Sequence, residues 1–189
     1  MSQRFFDLSM DVRTGIWDLG DPLDERGQEV EDPWMFRAGR PVHVEGLLTI
    51  PIEGRGRRLD FSTAGIGVTP IVHARVASIF EELAPNDVQF IPVNVQGRSE
   101  EYFILVATKL IRCIDDEASS EVLYWKPEDE RPDKFGQYRS VSGMRIDRTK
   151  VGDAKVFRTW GWKIALIVSE DIKNALEREK VTGTWFSEV

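Results

Sequence analysis

Residues 87–119 read DVQFIPVNVQGRSEEYFILVATKLIRCIDDEAS, which is two apolar runs joined by the polar turn QGRSEE. The second run, YFILVA at residues 102–107, is apolar without interruption, and such runs are typical of strands buried on both faces. From Thr108 onward apolar and polar side chains alternate, which indicates a half-exposed continuation. The stretch therefore predicts a β-hairpin whose second strand lies at the centre of a sheet.

The first strand of this hairpin contains a proline. Residues 88–90 and 91–95 show two alternations of apolar and polar side chains that are out of phase by one residue. Such a phase change is typical of a β-bulge, and Pro92 cannot donate a hydrogen bond to a neighbouring strand. We therefore predict an irregular first strand with a bulge between Phe90 and Pro92.

Two segments have the period of an amphipathic helix. After Thr69 the apolar residues recur at helical spacing, at Val72, Val76, Ile79, Phe80 and Leu83. Thr69 is a suitable N-cap, and Pro85 ends the pattern. Near the C-terminus, Ser169 can cap a second helix in which Ile172 and Leu176 share the inward face. The two helices are expected over about residues 70–84 and 170–180.

The remaining apolar runs are short and resemble strands. Their order predicts an α+β fold with a mostly antiparallel sheet and the two principal helices just described. No linker or internal repeat divides the chain, so residues 1–189 are expected to form a single domain. Its N-terminal part, residues 1–58, is rich in glycine and proline and is predicted to be mostly loop.

Large apolar residues interrupt this N-terminal loop. They are Trp17, Trp34, Met35 and Phe36. Burial is the usual fate of such side chains, so they are expected to anchor the loop onto the core. The alternative is an exposed aromatic surface for a partner.

Composition limits the classes of function. The chain has 189 residues, a formal net charge of −7 and one cysteine. The negative charge argues against a nucleic-acid ligand and favours a basic partner. A single cysteine suits a reducing compartment, and no run is long and apolar enough for a targeting or membrane-spanning segment. The sequence predicts a cytoplasmic protein without cofactor or metal.

The acidic residues concentrate in two segments. Residues 18–32 contain seven acids and one base, and residues 115–134 contain eight acids and three bases. We predict that the second segment faces a basic protein partner, and the first segment is a further candidate for the same contact. The candidate contact residues, chosen from charge alone, are Asp115, Asp116, Glu117, Glu121, Glu128, Asp129 and Glu130.

Catalytic and metal-binding patterns are weak in this chain. Clustered carboxylates such as Asp115, Asp116 and Glu117 can bind a divalent cation, but the ligand order of a calcium loop is absent. Cys113 lies on an apolar strand and is expected to be a structural residue without nucleophilic activity. His43 and His73 have no recognisable catalytic partner in the sequence, so a structural role is expected for both.

Several short strings in order resemble a known family. They are LDF at 59–61, Gly67 with PIV at 70–72, DVQFIPV at 87–93, YFIL at 102–105, RCID at 112–115, Ile146-Asp147 with Lys150, VFR at 156–158, WKIALIVSE at 162–170, and VTG at 181–183 with Phe186. In these strings residues 59–189 resemble the eleventh immunity-protein family of bacterial polymorphic toxin systems, which was first catalogued as a domain of unknown function and is common in myxobacteria. The resemblance covers residues 1–58 poorly.

The resemblance implies a function that the residues alone do not supply. It implies a non-enzymatic protein, encoded beside a toxin, that binds the toxin in the cytoplasm and blocks it. Two other classes stay open at this point. One is a metal-dependent hydrolase that uses Asp115, Asp116 and Glu117, and the other is a scaffold or small-ligand-binding protein with a cavity lined by tryptophans.

Overall fold

A computed structural model describes residues 3–189, in which β-strands are the commonest regular element. The two α-helices are α1 (Ala74–Leu83) and α2 (Glu170–Arg178). The strands are β1 (Phe5–Met10), β2 (Asp18–Leu19), β3 (Leu48–Ile50), β4 (Ile52–Gly54), β5 (Phe61–Ala64), β6 (Thr69–His73), β7 (Val88–Val95), β8 (Tyr102–Ala107), β9 (Leu110–Ile111), β10 (Glu121–Tyr124), β11 (Tyr138–Ser142), β12 (Val156–Thr159), β13 (Trp162–Ser169) and β14 (Thr184–Glu188).

The strands form three sheets. The seven-stranded sheet has the order β3-β7-β8-β6-β5-β2-β4, and the five-stranded sheet has the order β14-β1-β13-β12-β9. Strands β10 and β11 form a separate pair. Together with the two helices this arrangement is α+β, as the sequence predicted.

The predicted hairpin is present, and its second strand is central. Strand β7 pairs with β8 in antiparallel register from Val88 opposite Ala107 to Val93 opposite Tyr102, and β6 covers the other edge of β8. The predicted bulge is wrong, because the register runs through Pro92 without a shift. Pro92 is exposed, and the neighbouring strand β3 begins to pair only at Val93, so no strand lies beside the proline on that edge.

The prediction of a mostly antiparallel arrangement needs correction, because both large sheets are mixed. Strand β3 runs parallel to β7, and β2 runs parallel to β5 in the seven-stranded sheet. In the five-stranded sheet β9 runs parallel to β12. The parallel pairs arise because the chain leaves one strand and returns after a long connection, which adjacent sequence patterns do not reveal.

Helix α1 begins four residues later than predicted, at Ala74. Residues 69–73 instead form β6, which is held between β5 and β8, and Ile71 and Val72 are fully buried there. The N-cap is His73, whose Nδ1 accepts a hydrogen bond from the backbone N–H of Arg75 at 3.2 Å. The apolar spacing was compatible with a helix from residue 70, but sheet pairing at both edges of β6 determines its conformation.

Strand β8 contributes to two separate buried clusters. Leu105 and Ala107 lie in a cluster that both large sheets and both helices share. Ile104 and Val106, on the opposite face, lie in a cluster with Trp17 and other side chains of the N-terminal region. A third cluster lies on the far face of the five-stranded sheet. The uninterrupted apolar run of β8 is thus explained by burial on both of its faces.

The N-terminal apolar residues divide between the two predicted roles. Trp17 and Phe36 are buried, and the indole N–H of Trp17 donates to Ser62 Oγ at 2.8 Å. Met35 is partly buried against the same cluster. Trp34 is 47% exposed. The predicted anchoring role therefore applies to Trp17 and Phe36 and does not extend to Trp34.

Truncation of β8 should be costly, in contrast to truncation of an exposed strand. Leu105 is fully buried, whereas Leu123 on β10 is 48% exposed. We expect Leu105→Ala to lower the free energy of unfolding by about 2 to 5 kcal/mol, because it leaves a cavity between the sheets and helices. Leu123→Ala is the matched control and should change it by about 0.5 kcal/mol or less. Chemical denaturation measures both values, and equal losses would contradict the central position of β8.

Candidate functional site

The acidic segment forms an arm at the end of the five-stranded sheet. We call residues 115–142 the arm; it consists of a turn at 115–120, the strands β10 and β11, and the loop that joins them. The backbone N–H of Asp115 donates to the carbonyl of Arg145 at 2.9 Å, and that of Tyr138 donates to the carbonyl of Gly161 at 3.2 Å. These bonds attach one side of the arm to the body of the protein. All seven sequence-predicted contact residues lie on it.

Asp115 has a structural role in the turn. Its Oδ1 accepts hydrogen bonds from the backbone N–H groups of Glu117 and Ala118, at 3.1 and 3.0 Å. Its carbonyl accepts from the hydroxyl of Ser119 at 2.7 Å. A side-chain oxygen that bonds the backbone two and three residues later stabilises a tight turn. Asp115 therefore shapes the start of the arm.

Asp116 joins the turn to the two strands. Its carboxylate accepts hydrogen bonds from the hydroxyl groups of Tyr124 on β10 and Tyr138 on β11, whose rings stack with centroids 4.8 Å apart. The hydrogen bond to Asp116 raises the pKa of Tyr124. Burial and then this hydrogen bond raise the pKa of Tyr138. The three side chains fix the position of the turn relative to the strands.

Asp129 has a similar structural role at the opposite end of the arm. It accepts a hydrogen bond from the backbone N–H of Lys126 at 2.8 Å, and its other oxygen lies 3.0 Å from the guanidinium of Arg139. These contacts cap the short 3₁₀ turn at residues 127–129 and connect it to β11. The charge of Asp129 is therefore paired within the arm.

The other four predicted residues are exposed and unpaired within residues 3–189. Glu117, Glu121, Glu128 and Glu130 make no side-chain hydrogen bond or ion pair to any residue of that range. Strand β10 spans about 10 Å, so Glu121 lies at one end of the arm and residues 128 and 130 lie at the other. The structure thus divides the seven candidates into three that shape the arm and four free carboxylates distributed along it.

The arm does not gather these acids into a metal centre. Across residues 3–189, no three His, Cys, Asp or Glu side chains are placed so that they could hold one metal ion. Asp115, Asp116 and Glu117 do not converge, because the first bonds its own turn and the second bonds two tyrosines. The geometry gives no support to the alternative of a metal-dependent hydrolase at this cluster.

The arm also exposes apolar side chains, which the sequence did not predict. Leu123, Tyr124 and Phe135 are 48%, 37% and 63% exposed. Phe135 lines a shallow depression of about 310 Å³ together with Lys126, Pro127, Arg131 and Pro132. Residues 126–137 are mostly polar or charged, and Phe135 among them was the signal in the sequence for an exposed apolar side chain.

Three basic residues of the arm lie beside the ring of Trp125. The cationic groups of Arg131, Lys134 and Arg139 lie 5.9, 5.1 and 5.5 Å from the centroid of its ring. Such cation–π contacts hold the cations beside the indole. Since Arg131 also pairs with Asp133 at 2.9 Å and Arg139 with Asp129, two of these three charges are neutralised within the arm. The unpaired charge that remains on the arm is predominantly negative.

The tryptophans do not line a common cavity. Trp17 is buried in the core, Trp125 is on the arm, and Trp34 and Trp185 are exposed. Trp162 lines a cavity of about 300 Å³ between β13, β14 and the arm, but charged residues share that wall, namely Asp7, Arg145 and Glu188. This distribution does not favour the alternative of an apolar ligand site built from tryptophans.

Asp7 and Arg158 are a second feature that the sequence did not predict. Arg158 is buried, and its NH1 donates to the carbonyls of Lys163 and Ile164 at 3.3 and 3.0 Å. Burial and the positive charge of Arg37 lower the pKa of Arg158 to about 9. Burial also raises the pKa of Asp7 to about 6, although the N–H of Leu166 and the charge of Arg158 act in the opposite direction. The opposite charges of Asp7 and Arg158 attract each other, whereas burial disfavours the charged form of each side chain.

The acids of the N-terminal segment are partly structural. Asp21 accepts hydrogen bonds from the N–H groups of Ile66 and Gly67 at 3.0 and 3.2 Å, and Asp24 closes its own turn. Asp32 caps a 3₁₀ turn through the N–H of Trp34 at 3.0 Å. These bonds explain the local abundance of Asp by turn geometry. The segment therefore offers fewer free charges than its composition indicated.

Cys113 has the environment of a structural residue. It is 1% exposed in the third cluster, and burial raises its pKa to about 12. A thiol with such a pKa stays protonated at neutral pH and is a poor nucleophile. The structure therefore supports the structural role predicted for it.

Comparison with protein-family models shows one match over nearly the entire chain. The matching model is the immunity protein family Imm11, and it covers residues 5–189. The chain belongs to this family. The match agrees with the resemblance seen in the sequence and also includes residues 5–58, which the short strings left out. No curated protein matches the chain significantly. Within residues 3–189, the structure contains no helix long and apolar enough to cross a membrane.

Asp7 should make the stability of this Imm11 protein depend on pH. Its folded pKa of about 6 lies above the unfolded value of about 3.9, so the folded state binds the proton more tightly. Its favourable contribution is complete below about pH 4 and is lost as the pH rises through about 6. Hence the free energy of unfolding of wild type minus that of Asp7→Asn should decrease from pH 4 to pH 7 in urea titrations.

Asp133→Asn is the control for this experiment. The ion pair with Arg131 lowers the pKa of Asp133, so any contribution it makes is present above its unfolded pKa and is lost as the pH falls. Its wild-type-minus-variant difference should be small, because Asp133 is exposed, and should have the opposite slope. A difference for Asp7→Asn that stays constant from pH 4 to 7 would contradict the raised pKa.

Proposed function

We propose that this Imm11 protein binds a cognate bacterial toxin in the cytoplasm and neutralises it by occupying its surface, without catalysing a reaction itself. The observation that carries this proposal is the arm of a family member, which presents four exposed, unpaired carboxylates beside exposed apolar side chains. An immunity protein needs a surface that recognises its toxin, and the arm has the features of one.

The proposed partner is basic. The chain carries a formal net charge of −7, and the basic residues of the arm are mostly engaged with Trp125 or with its own acids. A free negative field accelerates association with a positively charged protein and disfavours other acidic proteins. A toxin that acts on nucleic acids needs basic residues around its substrate channel to bind phosphates. An acidic arm that binds at these residues would also occlude the channel.

The structure allows different roles within the predicted set of seven acids. We propose that Glu117, Glu121, Glu128 and Glu130 contact the toxin, because their carboxylates are free. Asp115, Asp116 and Asp129 hold the turn, the strands and the loop in position. Their effect on binding would therefore pass through the shape of the arm.

We further propose that residues 1–189 act as one folding unit. Strand β1 lies between β13 and β14, and β2 joins β4 and β5. The loop-rich residues 1–58 thus supply strands to both large sheets. Removal of these residues would expose the edges of β13 and β14 and would disrupt the body that carries the arm.

Co-expression tests the function directly. Cells that produce the toxin encoded next to this protein should stop growing, and co-production of the protein should restore growth, since a bound toxin cannot reach its substrate. The measurement is the growth rate with and without each gene. A neighbouring product that is not toxic, or a toxic one that this protein does not counteract, would overturn the proposal.

Charge reversal on the arm should weaken binding. The variant Glu121→Lys/Glu130→Lys removes two free carboxylates and adds two positive charges. We expect its dissociation constant for the toxin at low salt to rise by about tenfold or more. The dependence of binding on salt concentration should become shallower, because fewer opposite charges meet at the interface.

A control with the same net charge separates the arm from overall electrostatics. Glu81→Lys/Glu82→Lys changes two exposed acids on α1 and alters the net charge by the same amount. This variant should bind nearly as well as wild type. If both double variants lose affinity equally, net charge and not the arm is responsible for recognition.

A further inference from the structure

One edge of β10 has no neighbouring strand. Strands β10 and β11 form a two-stranded sheet, and β11 is the strand that connects to the body through the N–H of Tyr138 and the carbonyl of Gly161. The outer edge of β10 therefore faces solvent. Within residues 3–189 no backbone group bonds this edge. Such an edge is a template for a further strand.

The register shows which amides point outward. The N–H of Ser120 donates inward to the carbonyl of Gly143 at 3.3 Å, just before β10 begins. In an antiparallel pair every second residue bonds the partner strand, so Val122 points inward, whereas Glu121 and Leu123 direct their N–H and carbonyl groups outward. The irregularity in the register lies after Leu123, so residues 121–123 form a regular edge.

The side chains along this edge suit a protein partner. Leu123 and Tyr124 are 48% and 37% exposed, although apolar residues are usually avoided on open edges. Glu117 and Glu121 are exposed and unpaired next to them. Along residues 121–124 an added strand would thus find two backbone N–H donors, two carbonyl acceptors, exposed apolar side chains and negative charge.

From these observations we propose that β10 accepts a β-strand from the toxin, with basic side chains opposite its glutamates and an apolar one against Leu123. This proposal rests on the proposed function and specifies its binding mode. Strand addition takes its affinity from backbone hydrogen bonds and its specificity from the alternating side chains. The added strand also covers the exposed apolar residues of the arm.

Charge decides between the toxin and a second copy of this chain. Pairing of two β10 edges would bring two arms together, each with free carboxylates at positions 117, 121, 128 and 130. Like charges facing each other across paired strands are destabilising. A basic strand experiences the opposite effect. The edge is therefore open to a basic partner and protected against self-association.

Amide hydrogen exchange, measured residue by residue on the full-length protein with and without the purified toxin encoded next to it, tests the proposal. In the free protein the amides of Glu121 and Leu123 should exchange fast, while that of Val122 is protected by β11. Toxin binding should slow the exchange of Glu121 and Leu123 by about tenfold or more. The amide of Val122 is the internal control and should change little.

A pair of substitutions tests the backbone independently of the side chain. Leu123→Ala shortens the side chain but keeps the N–H, whereas Leu123→Pro also removes an N–H that the arm itself does not use. Proline is compatible with an edge strand when its missing N–H faces solvent. We expect Leu123→Pro to bind the toxin about tenfold or more weakly than Leu123→Ala. Circular dichroism and thermal melting establish that both variants are folded.

The outcomes are distinguishable. Binding of the toxin without protection of Glu121 and Leu123 overturns strand addition and leaves the proposed function standing. Failure of the wild-type protein to bind the toxin overturns the proposed function itself. Sedimentation of the free protein as a dimer, with both amides already protected, would assign the edge to a second copy and overturn the proposal. Equal affinities of folded Leu123→Pro and Leu123→Ala would also contradict it.

Discussion

The burial of β8 on both faces is the constraint on which the rest of the structure depends. Six consecutive apolar residues leave this strand no face that water can solvate, so both faces must be covered. The two helices and the five-stranded sheet cover one face, and the N-terminal region with Trp17 and Phe36 covers the other. The long irregular N-terminal part is therefore an outer layer of the core.

The same constraint determines where the arm emerges. A chain that leaves a doubly buried strand has to cross out of the core, and here it does so by entering the other sheet as β9. Asp87 stabilises this crossing, because its carboxylate accepts from the N–H groups of Lys155 and Val156 at 2.7 and 3.2 Å and pairs with Lys109 at 2.6 Å. One buried carboxylate thus connects the hairpin, its exit and β12. The arm begins two residues after Cys113, the last residue of the third cluster that precedes it in the chain.

Sequence patterns revealed the local features of this fold better than its connections. The hairpin, the buried strand β8 and helix α2 each depend on residues close together in the chain, so periodicity was sufficient to find them. Residues 69–73 were misinterpreted because pairing with β5 and with the later strand β8 decides their conformation. At Pro92 the change of phase in the side-chain pattern was taken for a bulge, but the hairpin register is regular and the proline faces an edge that β3 leaves unpaired. The parallel pairs β3 with β7 and β9 with β12 could not be predicted, since no local pattern records which distant strand lies alongside.

The candidate site shows a similar division. Charge counting selected the acidic segment as the candidate, yet it could not separate Asp115 from Glu117, because both are acids and only the fold shows which oxygen bonds a backbone amide. Asp is favoured in turns for this reason, whereas the longer Glu side chain reaches solvent more readily. On the arm the four engaged acids, Asp133 included, are all Asp, and the four free ones are all Glu. This division offers a chemical criterion that a bare count of acidic residues lacks.

The free glutamates and the open edge of β10 have complementary physical effects. Screened charge acts over about 10 Å and does not define a register, so it can accelerate an encounter without determining the final pose. Backbone hydrogen bonds act only at contact and repeat every second residue, so they fix register but attract nothing from a distance. An exposed edge without charge would also bind other copies of the chain, and the carboxylates disfavour that pairing. In the proposed interface, long-range selection by sign and short-range selection by strand geometry would therefore reinforce each other on the arm.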